Sequence, residues 1–145
     1  MLIQDILNLK GGTIYEIEPS GRLTSAVELM VRHDVGSLVC VEGGRMIGML
    51  TFREVLKALQ SGGGNLAGTE VRAVMVVDPV SGTPDQSIDD LRELMTRHHV
   101  RYLPVKDGDK LLGVVSFHDV AKAVIKETSM ENRLLKRYIE GSPEV

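Results

Sequence analysis

Two short stretches, GMLTFRE and GVVSFHD, each place a hydroxyl and a carboxylate three residues apart. The pairs are Thr51 with Glu54 and Ser116 with Asp119. In each stretch an apolar run typical of a strand leads to the hydroxyl, and the carboxylate lies one turn into a predicted helix. Exposed amides at a helix start attract phosphate, and a hydroxyl adds a donor. An ionised carboxylate accepts hydrogen bonds and therefore suits a ribose diol.

The same spacing is also that of an N-terminal capping box, which needs no ligand. That box prefers Glu or Gln, because the longer side chain reaches back to the capping amide. Glu54 fits it well and Asp119 fits it less well. The first pair therefore resembles a cap more closely and the second a ribose site, with both interpretations open for each pair.

The elements that must position these residues occur twice in the chain. At an offset of 65 residues, the 32 positions from Glu28 to Leu59 compare without a gap, and thirteen are identical. Each copy predicts a short extended piece (14–17, then 80–83), a helix with apolar residues at helical spacing, a glycine-containing hairpin and a second helix. We expect strand, helix, strand, strand, helix in each repeat. The predicted boundaries are a lead-in helix at 1–12, a first repeat at 13–61, a linker and short helix at 62–75, a second repeat at 76–127, and an amphipathic helix and tail at 128–145.

Composition excludes several classes of function. The net charge of −3, with no Trp, three Tyr and two Phe, argues against nucleic-acid binding. Cys40 is the only cysteine, which excludes a disulfide framework or cysteine zinc site within one chain. No stretch approaches the ~20 apolar residues of a membrane span, and the first ten residues do not resemble an export signal, so we expect a cytoplasmic protein. The repeat explains His33 and His98 without a metal, and no nucleophile has a supporting motif.

The duplicated unit resembles the CBS domain, named after cystathionine β-synthase. The resemblance rests on GMLTFREV and GVVSFHDV after the hairpins and on VRYLPV before the second one, and it covers residues 13–126. It implies an α+β fold of two tandem CBS units packed about a pseudo-two-fold axis. It also implies a non-catalytic regulatory module that binds an adenosine-containing ligand in clefts between the units. AMP is the first expectation, and ATP, ADP, NAD and S-adenosylmethionine are possible.

The resemblance also implies roles for individual residues. The hydroxyl and the Asp contact the sugar and phosphate of the ligand, and the usual Asp is present only at Asp119. A basic residue before YLPV, here Arg101, reaches phosphate, whereas the first repeat has Gly36 at that place, so phosphate binding should be unequal. Arg53 offers a second guanidinium, and ordinary surface charge is the alternative for both arginines. With the first strand of each unit lining the adenine slot, the candidate ligand-binding residues are Ser116, Asp119, His118, Val80, Ser81, Thr51, Glu54, Arg53, Ile14, Tyr15, Arg101 and Tyr102.

The expected partners are a second copy of the chain and an unidentified effector protein, with no nucleic acid, no membrane and no required cofactor or metal. A ligand-free dimerisation scaffold is the leading alternative, and a nucleotide hydrolase is a third. Residues 129–139 carry an apolar stripe at helical spacing opposite charged residues. We expect this stripe to pack back on the module or across a dimer interface.

Overall fold

The computed structural model describes residues 1–140 and divides into two compact units. One unit is Thr13–Val80, and the other combines Met1–Gly12 with the chain from Ser81 onward. The elements, in chain order, are α1 (Ile3–Lys10), β1 (Glu16–Ile17), α2 (Leu23–His33), β2 (Ser37–Glu42), β3 (Arg45–Thr51), α3 (Phe52–Ser61), a 3₁₀ helix (Val71–Ala73), β4 (Val76–Val77), α4 (Ile88–His98), β5 (Tyr102–Asp107), β6 (Lys110–Ser116) and α5 (Phe117–Ile139).

The unit that holds the first repeat is built on a four-stranded sheet in the order β1-β2-β3-β4. β1 pairs with β2 in parallel, and the other pairs are antiparallel. Gly43 and Gly44 form the β2–β3 turn with φ of 61° and 76°, a region that favours glycine. Apolar side chains of α2, the strands and the 3₁₀ helix form the core: Leu23, Ala26, Met30, Leu38, Cys40, Leu50 and Val71.

The unit that holds the second repeat contains the antiparallel pair β5-β6 together with α1, α4 and α5. A parallel bridge between Gly82 and Val105 takes the place that β1 has in the first repeat. The expected extended piece at 80–83 is thus reduced to a single bridge. Buried apolar side chains come from every helix and both strands of this unit: Ile3, Ile6, Leu7, Ile88, Leu91, Met95, Leu103, Val105, Val115, Val120 and Ala123.

The 65-residue offset holds in three dimensions. α2, β2 and β3 have the bounds of α4, β5 and β6 after the shift. The β-bulge after Cys40 returns after Val105, and the left-handed residue that ends the first helix, Asp34, returns as His99. Ser87 caps α4 by accepting a hydrogen bond from Asp90 N, whereas Arg22, its equivalent, gives α2 no side-chain cap.

The lead-in helix α1 groups with the second repeat, although it precedes the first along the chain. Ile3 N donates to Gln86 O at 2.9 Å, and the amino group of Met1 pairs with Glu127 at 3.1 Å. The corresponding segment before the second repeat, expected as a short helix, is the 3₁₀ turn followed by β4, and it belongs to the unit of the first repeat. Chain order does not reveal this exchange.

The C-terminal stripe differs from expectation in one respect. Residues 128–139 continue α5 without a break, so they form a single 23-residue helix with the end of the second repeat. The apolar side chains of the stripe are each more than half exposed: Met130, Leu134, Leu135, Tyr138 and Ile139. The stripe therefore does not pack back on its own unit. Residues 141–145 of the expected tail lie outside the described residues.

Among the described residues, no helix combines the length and the apolar character needed to cross a bilayer.

Candidate functional site

In the first repeat, the sheet brings three of the predicted segments to one end. Thr51, the last residue of β3, pairs with Ser37 at the start of β2. Tyr15 O accepts from Val39 N at 2.9 Å, which sets the chain just before β1 beside the same end of β2. Phe52 N donates to Gly36 O at 3.0 Å, so α3 begins at this end of the sheet. We call this end, with Tyr15, Ser37 and Thr51, the first edge. Thr51, Tyr15 and the neighbouring Ile14 therefore gather where the N-terminus of α3 points.

The first hydroxyl–carboxylate pair forms a closed cap. Glu54 Oε1 accepts from Thr51 N at 2.9 Å and from Thr51 Oγ1 at 2.8 Å. Thr51 Oγ1 in turn accepts from Arg53 N at 3.2 Å. The hydroxyl of Thr51 and the carboxylate of Glu54 thus hydrogen-bond to each other and to backbone amides at the start of α3. The capping interpretation of this pair is confirmed geometrically, and a ligand would have to share these groups.

Tyr15, a candidate for the adenine slot, is stacked on His33. The ring centroids are 4.3 Å apart and the rings are inclined by 25°. His33 lies in the last turn of α2, so one face of the Tyr15 ring is covered within its own unit. Tyr15 also packs against the hydrophobic core of this unit, so its ring has structural contacts without a ligand.

In the second repeat the equivalent end of the β5-β6 sheet, which we call the second edge, is formed by β5, β6 and the start of α5. Tyr102 pairs with Ser116, and Phe117 N donates to Arg101 O at 2.8 Å. Ser81 immediately precedes Gly82, whose N–H donates to Pro104 O at 2.9 Å. Arg101, Tyr102 and Ser116 thus lie near the start of α5, and Ser81 lies beside β5 near Pro104. Val80, the 65-residue equivalent of Tyr15, adjoins Ser81 along the chain and is the last residue of the first unit.

The second hydroxyl–carboxylate pair also forms a complete capping box. Asp119 Oδ2 accepts from Ser116 N at 2.9 Å, and Ser116 Oγ accepts from Asp119 N at 3.1 Å. The shorter Asp therefore closes the box as Glu54 does, contrary to the expectation that it fits less well. The length of the acidic side chain therefore does not distinguish a helix cap from a ribose site, because both Glu54 and Asp119 reach the amide of the capping residue.

What separates the two edges is Lys10, a residue that the sequence patterns do not single out. Its Nζ lies 2.7 Å from Asp119 Oδ2 and 2.6 Å from Val114 O. Burial alone would raise the pKa of the Asp119 carboxyl, but hydrogen bonds from Lys10 and Ser116 and the charge of Lys10 outweigh it and hold that pKa below its ordinary value. The carboxylate is therefore ionised and paired at neutral pH.

The remaining ionisable candidates surround these edges at the surface. Arg53, Arg101 and His118 are exposed residues, the first and last of them in the opening turn of a helix. Burial raises the pKa of the half-buried Tyr102, and the charge of Arg101 partly offsets that effect. The guanidinium of Arg101 is thus close enough to influence this edge.

Other groups do not add chemistry to these edges. Cys40 is fully buried in the first core, and burial, with a smaller effect of the Glu54 charge, raises the pKa of its thiol to about 11. It is a core residue. Within residues 1–140, no cluster of His, Cys, Asp and Glu could hold a metal ion. A concave region at the hairpin end of the first sheet is lined by Glu16, Glu18 and Glu42, which do not suit phosphate.

Known proteins with the same fold and sequence pattern identify the family. The CBS domain matches residues 14–61 and 71–126. The CBS domain-containing protein YhcV of Bacillus subtilis is 36% identical over 105 residues, which are 72% of this chain and 74% of that protein. The mitochondrial CBS domain-containing protein CBSX3 of Arabidopsis thaliana is 30% identical, over 96% of this chain and 72% of its own length.

Solved structures agree with this assignment. The CBS-domain containing protein ATU1752 from Agrobacterium tumefaciens superposes with a TM-score of 0.81 at 28% identity, over 84% of this chain and 92% of its own. The CBS domain structure NE2398 gives a TM-score of 0.81 at 26% identity, over 86% of this chain and 98% of its own. The two matched segments coincide with the two repeats of one duplicated α+β unit, and the chain therefore belongs to the CBS domain family as a tandem pair.

Proposed function

We propose that this chain is a non-catalytic regulatory module that binds an adenine nucleotide, AMP first among them, at the strand edges where α3 and α5 begin. The observation that carries the proposal is the second edge, where Ser116 and Asp119 lie beside Arg101. A carboxylate for a ribose diol, helix amides for a phosphate and a nearby guanidinium are the groups that such a ligand requires.

A structural neighbour supports an adenosine-containing ligand. The CBS domain pair of protein MJ0100 has been solved in complex with 5-methylthioadenosine and S-adenosyl-L-methionine, and it superposes with a TM-score of 0.76 at 19% identity, covering 88% of this chain. That likeness supports a fold able to hold adenosine. The choice of a phosphorylated ligand here rests on the basic residues of the second edge.

Thermal unfolding of the full chain with AMP, ATP, NAD or S-adenosylmethionine tests the proposal. A ligand present at 100 times its dissociation constant should stabilise the folded state by about 2.7 kcal/mol. Asp119→Ala should abolish most of this stabilisation. Glu54→Ala is the matched variant in the first repeat and should have the smaller effect, because only the second edge carries Arg101.

A ligand-free scaffold is the second candidate, and one observation favours it. Both carboxylates are already engaged as helix caps, and Asp119 is paired with Lys10 as well. This candidate predicts no stabilisation by any of the four ligands. Unchanged AMP and ATP after long incubation would at the same time exclude a hydrolase.

We also propose that the chain forms a homodimer that transmits ligand binding to an effector protein. Small chains most often assemble as closed two-fold dimers. A CBS-CP12 protein from cyanobacteria, with a TM-score of 0.74 at 21% identity, is hexameric, so the assembly must be measured. Light scattering after size-exclusion chromatography should give twice the chain mass of 15.9 kDa. A monomer or a hexamer would contradict the dimer.

A further inference from the structure

Lys10 occupies Oδ2, one of the two oxygens of the carboxylate that the proposed ligand needs. It is the last residue of α1, and its side chain is 32% exposed, against 16% for Asp119. Its ammonium group has two acceptors, Asp119 Oδ2 and Val114 O. Lys10 is therefore fixed at this edge by two hydrogen bonds rather than extended into solvent.

A ribose diol bound to Asp119 would compete with this arrangement. Asp119 Oδ2 already accepts from Ser116 N and from Lys10, so a sugar hydroxyl that binds there displaces the ammonium group or shares the oxygen with it. A displaced ammonium group loses a charge-assisted hydrogen bond, which is stronger than a neutral one. The loss is offset only if the ligand supplies another anionic acceptor.

A phosphate is such an acceptor, and this edge is suited to it. The N-terminus of α5 lies there beside Arg101, since Phe117 N donates to Arg101 O, and the positive end of the helix dipole favours an anion. Two basic residues, Lys10 and Arg101, and one carboxylate, Asp119, belong to this edge, so these three groups together carry one positive charge.

The first repeat does not have this arrangement. Met75 follows Lys10 by 65 residues, and Gly36 stands where the second repeat has Arg101. The carboxylate of Glu54 is engaged by Thr51 of its own cap. Selection by a lysine is therefore a property of the second repeat alone.

Resting on the proposed function, we propose that Lys10 makes the second-repeat site selective for adenosine ligands that carry a phosphate. The ribose diol takes over Asp119, and the ammonium group of Lys10 turns to the phosphate oxygens. Uncharged adenosine displaces Lys10 without offering it a new acceptor, and the cationic sulfonium of S-adenosylmethionine is repelled by it. Lys10 is thus a specificity-determining residue contributed by a helix that precedes the other repeat.

Titration calorimetry of the full chain with AMP and with adenosine tests this inference. Wild type should bind AMP more tightly than adenosine by about tenfold or more, the size of one charge-assisted hydrogen bond. Lys10→Met should collapse that ratio, because AMP binding weakens while adenosine binding stays equal or tightens. Lys10→Arg should preserve the preference for AMP. Circular dichroism establishes that each variant is folded.

Lys110→Met is the matched control. Lys110 is an exposed lysine at the opposite end of β6, about 20 Å from Ser116 along the strand, so the variant has the same change in net charge. Its AMP-to-adenosine ratio should equal that of wild type. Equal collapse in both lysine variants would assign the effect to overall charge and overturn the inference.

The outcomes separate the inference from the proposed function. An unchanged ratio in Lys10→Met, with binding still lost in Asp119→Ala, overturns the role of Lys10 and leaves the proposed site in place. A wild-type chain that binds S-adenosylmethionine more tightly than AMP at the Asp119 site also overturns it. A wild-type chain that binds none of these ligands overturns the proposed function and the inference together.

Discussion

Two residue pairs with the same spacing have different surroundings. Thr51 with Glu54 and Ser116 with Asp119 both close capping boxes, so each carboxylate stabilises a helix start whether or not a ligand is present. Only Asp119 is also paired with a lysine from another helix. A site can thus carry a structural and a binding role in the same atoms, and variants must be designed to tell these roles apart.

The pH dependence of stability reports on the structural role of Asp119. Its pKa is lowered in the folded protein, so the ionised carboxylate stabilises the fold above the ordinary Asp pKa of about 3.9, and this contribution is lost as the pH falls through the lower folded pKa. Asp119→Asn should reduce the free energy of unfolding by about 1 kcal/mol at pH 7. The difference from wild type should shrink steadily below pH 4.

Urea unfolding of both proteins at pH 7, 5 and 3 measures this difference. Lys10→Met serves as the comparison, because it removes the partner and leaves the carboxyl able to titrate. A gap between wild type and Asp119→Asn that stays the same at all three pH values would show that ionisation of Asp119 does not stabilise the fold.

At the scale of elements, the equivalent strands β3 and β6 are covered by unlike segments. A Cβ on Gly48 in β3 would lie 2.8 Å from the backbone oxygen of Val76 in β4. A Cβ on Gly113 in β6 would lie 2.8 Å from Cδ2 of Leu7 in α1. The two glycines are equivalent by sequence, but one faces a paired strand and the other a movable side chain.

This difference predicts unequal costs for the same substitution. Gly48→Ala should lower the free energy of unfolding by about 1–3 kcal/mol, since the backbone of β4 must shift. Gly113→Ala should cost less, because Leu7 can change rotamer. Denaturant unfolding of the two variants measures the difference, and an equal or reversed order would contradict the packing of α1 and β4 described above.

At the scale of the whole molecule, the segment that precedes each repeat along the chain belongs to the unit of the other repeat. Residues 1–12 belong to the unit of the second repeat, and the segment that contains Val71 and β4 belongs to the unit of the first. Ile3 and Ile6 are buried in the second repeat's unit, so its core depends on residues more than seventy positions earlier in the chain. A boundary drawn between the repeats does not separate two independent units.

Deletion of residues 1–12 should therefore affect the distant repeat. Without Ile3, Ile6 and Leu7, the amides of β5 and β6 should exchange with deuterium markedly faster, while those of β2 and β3 keep most of their protection. Hydrogen exchange followed by mass spectrometry measures both sets in one sample. Faster exchange confined to β2 and β3 would contradict the assignment of α1 to the second repeat.

Much of the fold could be predicted because its signals are local. The duplication, the hairpin glycines and the helix periodicity follow from residue types and short spacings, and the 65-residue offset transfers each element from one repeat to the other. The edges that hold Ser116 with Tyr102 and Thr51 with Ser37 follow from the hairpin register. The prediction of an extended piece at 80–83 is wrong in its length, because only one bridge forms there, at Gly82.

The amino-acid sequence by itself determined the repeated unit, its elements and the hydroxyl–carboxylate pairs. These features depend on the spacing of polar and apolar residues that lie within a few turns or one hairpin of each other. Only the tertiary structure decided which repeat α1 covers and that Lys10 meets Asp119. These partners are 109 residues apart, and no local pattern marks a contact over that distance. The exposed stripe at the end of α5 was visible as a pattern, but only packing reveals that its own unit leaves it uncovered.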